Sequence, residues 1–275
     1  MKLPVSYLFV PGDRPDRFAK ALAAGAQAII IDLEDAVAPD AKSSAREHIR
    51  AWTASRPDAD VDVLVRINDV ATPWFDADLA LARECAIRGI VLPKAERAAD
   101  IARVMAALAR GGFVVPIVET ARGVHNVDEV ASAAGVQRIA FGTLDYAVDL
   151  DLSGDERGLI YPACRMALAS KAAGIATPIA GVTPEIGNDA KLDSDLQFAR
   201  ACGFGAKLCI HPSQLAHTQR AFTPTADEIA WAQRVVAAAE SGRGAVQVDG
   251  KMVDRPVILK AQAILERAAP LPKAG

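Results

Sequence analysis

The sequence predicts an α/β protein, a TIM (β/α)8 barrel with a C-terminal helical extension. Short runs of Val, Ile and Leu alternate along the chain with longer segments of helical periodicity, as in parallel sheets whose strands are joined by helices. The composition agrees, since 51% of the residues are hydrophobic and only 5% are aromatic, which is typical of α/β proteins. A length of 275 residues suits one such barrel with an addition.

Eight apolar runs are the predicted strands. They are Val5–Val10, Ala28–Leu33, Val61–Ile67, Gly89–Leu92, Val114–Val118, Arg138–Phe141, Thr177–Gly181 and Lys207–Ile210. Apolar residues are continuous in these runs and do not alternate with polar ones, so we expect both faces of each strand to be covered. Eight such units, with no Gly-x-Gly-x-x-Gly after the first strand, favour a closed barrel over an open nucleotide-binding sheet.

Helices are predicted between the strands. Three segments show the i, i+3, i+4 spacing of a single buried face: Phe18 to Leu22, Ile101 to Leu108 and Leu159 to Met166. Helices of this kind cover the outside of a parallel barrel.

The chain continues well beyond the eighth strand. We therefore divide it into a barrel domain, residues 1–220, and an extension, residues 221–275. Thr225–Glu228 is a capping box that opens an amphipathic helix, Ser241–Gly244 breaks that helix, and a last helix runs from Val257 to Ala268. An appendage of this size is expected to pack on the same chain or on a neighbouring subunit.

Bulk charge and hydropathy exclude several classes of function. The net charge of −3 and the pI near 5.9 argue against binding to nucleic acids or to anionic membranes. No apolar run approaches the roughly 18 residues of a membrane span, and the first run ends at Pro11, too early for a signal peptide. We expect a cytoplasmic protein.

Cysteine spacing matches neither a disulfide framework nor a zinc site. The four cysteines are Cys85, Cys164, Cys202 and Cys209. We expect all four to be small core residues in a reducing compartment.

Polar clusters follow the predicted strands, and the carboxyl ends of barrel strands form one mouth. Glu119 follows the fifth strand and Asp145 the sixth. Two carboxylates there suit Mg²⁺, which prefers hard oxygen ligands and keeps positions open for substrate. Alternatively, each carboxylate caps the following helix or pairs with Arg122 or Arg66, and Asp149 is a competing ligand.

Arg66 ends the third predicted strand and would place a fixed cation in the mouth. A guanidinium suits a carboxylate or a developing enolate, although a salt bridge with Glu34 or Asp35 is the alternative. Asp32, Glu34 and Asp35 put three acids into four residues. We expect them to orient metal-bound waters or neighbouring basic groups around the metal ligands.

A second basic group lies after the first strand. Arg14, Arg17 and Lys20 stand at a helix start, where basic side chains and backbone N–H groups suit a phosphate. A solvated helix face is the alternative. Lys94 either binds an anion or pairs with Glu96.

Seven segments together resemble the citrate lyase beta subunit family. They are Leu8–Arg14, Ile31–Val37, Arg66–Asn68, Leu92–Lys94, Ile117–Thr120, Phe141–Asp145 and Ile210–Gln214. That family belongs to the HpcH/HpaI aldolase superfamily, in which malyl-CoA and citramalyl-CoA lyases are relatives. The resemblance spans nearly the whole chain in the same order.

The resemblance implies a TIM barrel that is a carbon–carbon lyase dependent on Mg²⁺, with Mn²⁺ as an alternative. The implied reaction is reversible cleavage of a 3-hydroxy-3-carboxyacyl thioester, such as malyl-CoA or citramalyl-CoA, into a 2-oxo acid and an acyl-CoA. By position, Glu119 and Asp145 would hold the metal, and Glu119 would thereby be a catalytic group. Arg66 would stabilise the oxyanion.

The resemblance also implies a role for the extension. Asp254 matches an aspartate that such lyases send from the C-terminal segment into a neighbour's active site, where it would move a proton to or from the enolate carbon. This implies a homotrimer or hexamer whose extension packs on a neighbouring subunit. Arg14, Arg17 and Lys20 become candidates for the coenzyme A phosphates.

Three positions depart from the family pattern. Leu144 stands where an acidic residue often precedes the metal-ligating aspartate, Ala180 where an aspartate is common, and Ala206 where a glycine is common. The family therefore leaves open the acyl group, the carrier (coenzyme A or a protein) and the direction of the reaction. An aldolase of the metal-dependent class acting on free hydroxy-oxo acids, and a non-catalytic thioester-binding subunit, are the alternatives.

Overall fold

The structure is a computed structural model, and it describes residues 3–55, 61–240 and 246–269. The chain divides into two compact units, one from Pro4 to Thr218 and the other beginning at Gln219. The first unit is a closed barrel of eight parallel strands in sequence order, in which the first strand also pairs with the eighth. The predicted TIM barrel is confirmed.

The strands lie close to the predicted runs. They are β1 (Ser6–Pro11), β2 (Ala28–Asp32), β3 (Asp62–Arg66), β4 (Gly89–Leu92), β5 (Phe113–Val118), β6 (Ala140–Phe141), β7 (Ile179–Ala180) and β8 (Ala206–Cys209). Strands β6 and β7 are shorter than predicted. Arg138 explains part of this. Its Nε and Nη2 donate to the Thr177 carbonyl at 2.9 and 2.6 Å, so this carbonyl bonds to a side chain where the predicted strand would have bonded to a neighbouring strand.

Ten helices of the described residues lie between the strands or follow the last one. They are α1 (Phe18–Ala23), α2 (Lys42–Ser55), α3 (Phe75–Glu84), α4 (Ala98–Ala107), α5 (Ala121–His125), α6 (Val127–Ser132), α7 (Thr143–Asp149), α8 (Arg157–Ala172), α9 (Asp189–Ala201) and α10 (Ser213–Phe222). None of the helices in the described part of the chain is long and apolar enough to cross a membrane.

An apolar cluster fills the barrel. Every strand contributes to it, and where one strand contributes two residues they are two positions apart, as in Ala28 and Ile30 of β2 or Val115 and Ile117 of β5. Residues two apart lie on one face of a strand, so this cluster is the barrel interior. A packed interior leaves the functional groups to the strand ends and the loops that follow them.

The second unit is built on two helices, α11 (Ala226–Glu240) and α12 (Arg255–Ala268), with a hairpin of β9 (Val246–Val248) and β10 (Lys251–Val253) between them. The predicted capping box forms, since the Glu228 N–H donates to Thr225 Oγ1 at 3.1 Å and the Thr225 N–H to Glu228 Oε2 at 2.8 Å. The predicted break at Ser241–Gly244 lies outside the described residues.

The extension's last helix begins two residues before the predicted Val257, because Asp254 caps it and Pro256 occupies its first turn. The sequence-based boundary between residues 220 and 221, and packing on a neighbouring subunit, stay predictions.

The cysteines do not all lie in the core. Cys209 is buried, Cys85 and Cys202 are half-buried, and Cys164 is exposed on α8. The prediction of a core position is therefore wrong for Cys164, which occupies the solvent side of an amphipathic helix.

Candidate active site

Asp32 and Arg66 form the structural centre of the barrel mouth. They are the last residues of β2 and β3 and lie opposite each other in the parallel register. Arg66 Nε donates to Asp32 Oδ1 at 2.7 Å and Arg66 Nη2 to Asp32 Oδ2 at 2.6 Å. This two-point ion pair is buried, with 1% of the Asp32 side chain and 13% of the Arg66 side chain exposed. Its geometry fixes the guanidinium plane.

Two further acids contact the same guanidinium. Arg66 Nη1 lies 2.8 Å from Glu34 Oε2 and donates to Asp35 Oδ2 at 3.4 Å. The contact with Glu34 lacks hydrogen-bond alignment, and this buried oxygen has no hydrogen-bond donor in the part of the chain that the structure describes. Arg66 also stacks over Phe9 at 4.8 Å. The salt-bridge geometry weighed as the alternative for Arg66 is present, while its role on an oxyanion stays a prediction.

Lys42 holds the loop that carries Glu34. Its Nζ donates to the carbonyls of Leu33 and Glu34 at 2.8 and 2.9 Å, and it lies over the Trp74 ring at 4.9 Å. Asp32 Oδ1 holds the same loop by accepting from the Glu34 N–H at 2.9 Å. Lys42 was not predicted as part of the site, because lysine is rarely buried and nothing in its spacing indicates carbonyl partners.

Glu119 lies immediately after β5 and is buried. Its Oε1 accepts a hydrogen bond from the Lys94 backbone N–H at 2.8 Å, and the described residues place no donor on Oε2. Lys94 adopts a left-handed backbone, with φ of 46°, which presents this N–H. Gly142 backs the carboxylate, since an added Cβ would overlap Glu119 Oε2. Gly142 was not singled out from the sequence; its position directly after β6 is the signal that could have identified it, since a glycine there can mark a close approach.

Burial controls the charge of these acids. The pKa of Glu119 is raised to about 8, mainly because the side chain is buried; the carboxylates of Glu34 and Asp145 also raise it, while the Lys94 N–H and the charge of Arg66 lower it. Burial likewise raises the pKa of Glu34 to about 7 against the opposing charge of Arg66. A cation beside Glu119 would favour its ionised form.

Asp145 lies in the first turn of α7 with its carboxylate exposed, near enough to Glu119 to affect its pKa. Asp149, the competing ligand, is engaged elsewhere, because its Oδ2 accepts from the N–H of Ala121, the first residue of α5, at 2.7 Å. A contact of this kind cannot be told from metal ligation by spacing alone.

The donor set fits Mg²⁺ in its chemistry. Within the described ranges no group of three or more His, Cys, Asp or Glu side chains is arranged to hold a metal ion. Glu119 and Asp145 are instead two hard oxygen donors, near enough to each other for the Asp145 charge to raise the pKa of Glu119. Mg²⁺ is usually held by one or two carboxylates and keeps several waters.

The residues predicted to bind phosphate follow β1. Arg14 and Arg17 lie on the connection between β1 and α1, Lys20 lies in α1, and all three are exposed. Arg14 donates to both carboxylate oxygens of Asp16 at 3.1 and 3.2 Å, and Lys20 Nζ lies 3.8 Å from Asp16. Asp16 thus offsets part of the positive charge, and binding of coenzyme A phosphates stays a prediction.

Asp254 belongs to the second unit, where it is the N-cap of α12. Its Oδ1 accepts a hydrogen bond from the Val257 N–H at 3.1 Å. Proton transfer by Asp254 stays a prediction, and any such role must coexist with capping.

Known proteins are similar to this chain over nearly its whole length. A family model described as HpcH/HpaI aldolase/citrate lyase matches residues 5–212. A citrate lyase subunit beta-like protein of Deinococcus radiodurans is 35% identical, over 96% of this chain and 97% of its own length. A (3S)-malyl-CoA thioesterase of Cereibacter sphaeroides is 34% identical, over 96% of this chain and 94% of its own length.

Solved structures are similar as well. The Mycobacterium tuberculosis protein CitE, in complex with magnesium, acetoacetate and coenzyme A, superposes with a TM-score of 0.83 at 36% identity, covering 97% of this chain and 98% of that one. The citrate lyase beta subunit of the same organism, complexed with oxaloacetate and magnesium, gives a TM-score of 0.71 at 32% identity, covering 81% and 98%. These relatives bind magnesium, coenzyme A and small oxo acids.

Proposed function

Because the chain belongs to the HpcH/HpaI aldolase/citrate lyase family, we propose that it is a Mg²⁺-dependent carbon–carbon lyase. Its substrate would be a 3-hydroxy-3-carboxyacyl thioester such as malyl-CoA or citramalyl-CoA, cleaved to, or formed from, a 2-oxo acid and an acyl-CoA. One observation carries this proposal: a buried glutamate, Glu119, at the barrel mouth, with one carboxylate oxygen held by the Lys94 N–H and a pKa raised to about 8.

Glu119 and Asp145 are the proposed metal ligands. A bound Mg²⁺, or Mn²⁺ in its place, would supply Lewis acidity to the hydroxyl and carboxylate of the substrate. Glu34 and Asp35 would not bind the metal themselves but would hold Arg66, which both contact. That arrangement supports the role predicted for the acidic loop, which is to orient waters and basic groups.

Arg66 is the proposed stabiliser of the developing enolate. A guanidinium has five N–H groups, and three of them donate to Asp32 and Asp35. The remaining two make no hydrogen bond to a described residue, although Nη1 also lies 2.8 Å from Glu34 Oε2, and they would donate to a substrate oxygen without disturbing the ion pair with Asp32. A preorganised cation of this kind stabilises charge that forms during the reaction.

Asp254 is the proposed proton donor to the enolate carbon, delivered by the extension of a neighbouring subunit. This makes a homotrimer or hexamer part of the proposal, with Arg14, Arg17 and Lys20 taking the phosphates of coenzyme A. We also propose that the protein acts in the cytoplasm.

A second candidate is thioester hydrolysis, favoured by the 34% identity to a (3S)-malyl-CoA thioesterase. The two reactions give different products, since hydrolysis releases free coenzyme A and cleavage releases a 2-oxo acid with the thioester intact. Malyl-CoA and citramalyl-CoA should be assayed with and without Mg²⁺, and both products measured. Release of free coenzyme A alone rejects the lyase, and turnover only of free hydroxy-oxo acids identifies an aldolase.

Glu119→Gln is the control for that assay. It keeps the shape of the side chain while removing the charge that would hold the metal. Full thioester binding without turnover by the native protein would favour a non-catalytic binding subunit.

A further inference from the structure

Cys164 and Cys202 lie on two neighbouring helices, away from the barrel mouth. Cys164 is in α8 and is exposed, and Cys202 is the half-buried C-cap residue of α9. Helix α8 precedes β7 and helix α9 precedes β8, and these two strands pair, so the helices are neighbours around the barrel. Spacing along the sequence could not predict this pair, because the two cysteines belong to different helices.

The backbone brings the end of α9 against α8. Gly203 follows Cys202 and has a φ of +90°, and a Cβ added to this glycine would lie 3.3 Å from the Cβ of Ala167 in α8. Ala167 and Cys164 are three residues apart in that helix, so they share a face. Cys202 is therefore held beside the face of α8 that carries Cys164.

Hydrogen bonds fix the turn that presents Cys202. The Gly203 N–H donates to the Arg200 carbonyl at 3.1 Å, and the Phe204 N–H donates to the Ala199 carbonyl at 2.9 Å. A left-handed glycine with these two bonds is a standard helix end, and Phe204 is buried. The position of Cys202 is thus set by the fold and does not depend on the thiol itself.

The two thiols are in hydrogen-bonding contact. The pKa of the Cys202 thiol is raised to about 11, mainly because it is buried and also because of the neighbouring Cys164. Cys202 is therefore protonated at neutral pH, and Cys164, the exposed member of the pair, is the sulfur that an oxidant in solution reaches first. Two cysteine side chains in contact meet the main geometric condition for a disulfide.

We propose that Cys164 and Cys202 form a reversible oxidation site, at which a hydroperoxide such as hydrogen peroxide converts the two thiols into a disulfide between α8 and the end of α9. The Cys164 sulfur attacks a peroxide oxygen, the O–O bond breaks, and the products are a sulfenic acid and water. The Cys202 sulfur then attacks the sulfenic sulfur, the S–O bond breaks, and the departing hydroxide takes the Cys202 proton to form a second water.

The balance of this reaction is two thiols oxidised by two electrons and one peroxide reduced to two waters. A dithiol reverses it by thiol–disulfide exchange, which the exposure of Cys164 permits. A bond that forms and is reduced again agrees with the proposed cytoplasmic setting, where disulfides are transient.

Peptide mapping tests the proposal. The reduced chain should be treated with a small excess of hydrogen peroxide, its remaining thiols alkylated, and the product digested with trypsin. Cleavage after Arg and Lys leaves the two cysteines in separate peptides, residues 158–165 and residues 201–207. We expect these peptides to be joined, with a mass two hydrogens below their sum, and to separate when dithiothreitol is added.

Single substitutions supply the controls. Cys164→Ser and Cys202→Ser should each abolish the linked peptides, whereas Cys85→Ser, a half-buried cysteine at the end of α3, should retain them. The proposal is overturned if peroxide leaves both thiols free for alkylation, if Cys164 is recovered only as sulfinic acid, or if it is linked only to a second chain.

Thermal unfolding gives a second readout. A disulfide between these helices restricts the unfolded chain, so the oxidised protein should have a Tm higher than the reduced protein by about 5 to 10 °C, and Cys202→Ser should show no such rise. A linked protein whose Tm does not rise would show that the thiols meet only in a distorted structure, which also overturns the proposal. Neither measurement uses turnover, so the result is independent of the proposed lyase.

Discussion

Asp32 and Arg66 face each other across neighbouring strand ends and bind through two hydrogen bonds of 2.7 and 2.6 Å. The same Asp32 carboxylate also accepts the Glu34 N–H at 2.9 Å. One buried acid thus fixes both the guanidinium proposed to stabilise the enolate and the loop that surrounds it. The pair is a condition for the geometry of the whole mouth.

Asp32→Asn should therefore destabilise the protein. The variant removes the carboxylate that makes the two-point ion pair with the buried Arg66 guanidinium. We expect the free energy of unfolding to fall by about 3 kcal/mol, which is the low end for breaking a buried pair. The low end applies because Glu34 and Asp35 remain beside Arg66. Urea denaturation measures the change. Asp16→Asn breaks the exposed pair with Arg14 and should leave stability within error. Equal stability of native protein and Asp32→Asn would show that the pair is not structural.

Stabilisation by Mg²⁺ should grow with pH. The pKa of Glu34 is raised from 4.5 to about 7 and that of Glu119 from 4.5 to about 8. Between those limits the folded protein holds protons that the unfolded chain has released, so the metal-free protein loses stability as pH rises through this window. A cation bound at Glu119 stabilises the ionised carboxylate, so it offsets this loss of stability, and it competes with the proton for the same oxygen atoms.

The Tm increase caused by Mg²⁺ should accordingly be larger at pH 8 than at pH 6. Thermal unfolding at the two pH values, with and without metal, measures it. Glu119→Gln should lose most of the dependence on metal. An increase that is the same at both pH values in the native protein would count against Glu119 as a ligand.

Gly142→Ala should weaken metal binding. The new methyl group would overlap the Glu119 carboxylate and displace it, and displaced supporting geometry costs roughly tenfold to a hundredfold in metal affinity. Titration of Mn²⁺ followed by electron paramagnetic resonance gives the affinity. Gly158→Ala, in α8, meets only the Leu152 side chain and serves as the control. If Gly142→Ala binds Mn²⁺ with the native affinity, Glu119 is not a metal ligand.

Asp254→Asn should keep the fold and lose turnover. Asparagine caps helices about as well as aspartate, so the bond to the Val257 N–H should survive. Removing a general acid lowers turnover by about a hundredfold to ten-thousandfold. Steady-state kinetics, with Mn²⁺ affinity as the check on the metal site, test this. Near-native turnover would remove Asp254 from the mechanism and leave it as a helix cap.

The barrel could be predicted from the sequence because continuous apolar runs indicate strands that are covered on both faces. The runs at Ala28–Leu33 and Val114–Val118 became β2 and β5 with only small shifts of their ends. The seventh run was predicted too long, since periodicity cannot reveal that Arg138 takes the Thr177 carbonyl. That contact joins residues 39 apart and depends on the pairing of β6 with β7.

The candidate site was only partly accessible. Glu119 and Arg66 could be named because charged residues directly after buried strands are costly unless they have a purpose. Lys42 could not, because its partners are backbone carbonyls, which leave no pattern in the sequence. Asp145 and Asp149 lie four apart in one helix, and only the structure shows that Asp149 accepts the Ala121 N–H at the start of α5.

The most direct test of the account is the Mg²⁺-dependent release of a 2-oxo acid from malyl-CoA, citramalyl-CoA and citryl-CoA, compared between the native protein and Glu119→Gln. We expect release by the native protein from at least one thioester, abolished by removing Mg²⁺ and reduced at least about a hundredfold by the substitution. Release that is unaffected by Glu119→Gln, or no 2-oxo acid from any of the three thioesters, would contradict it.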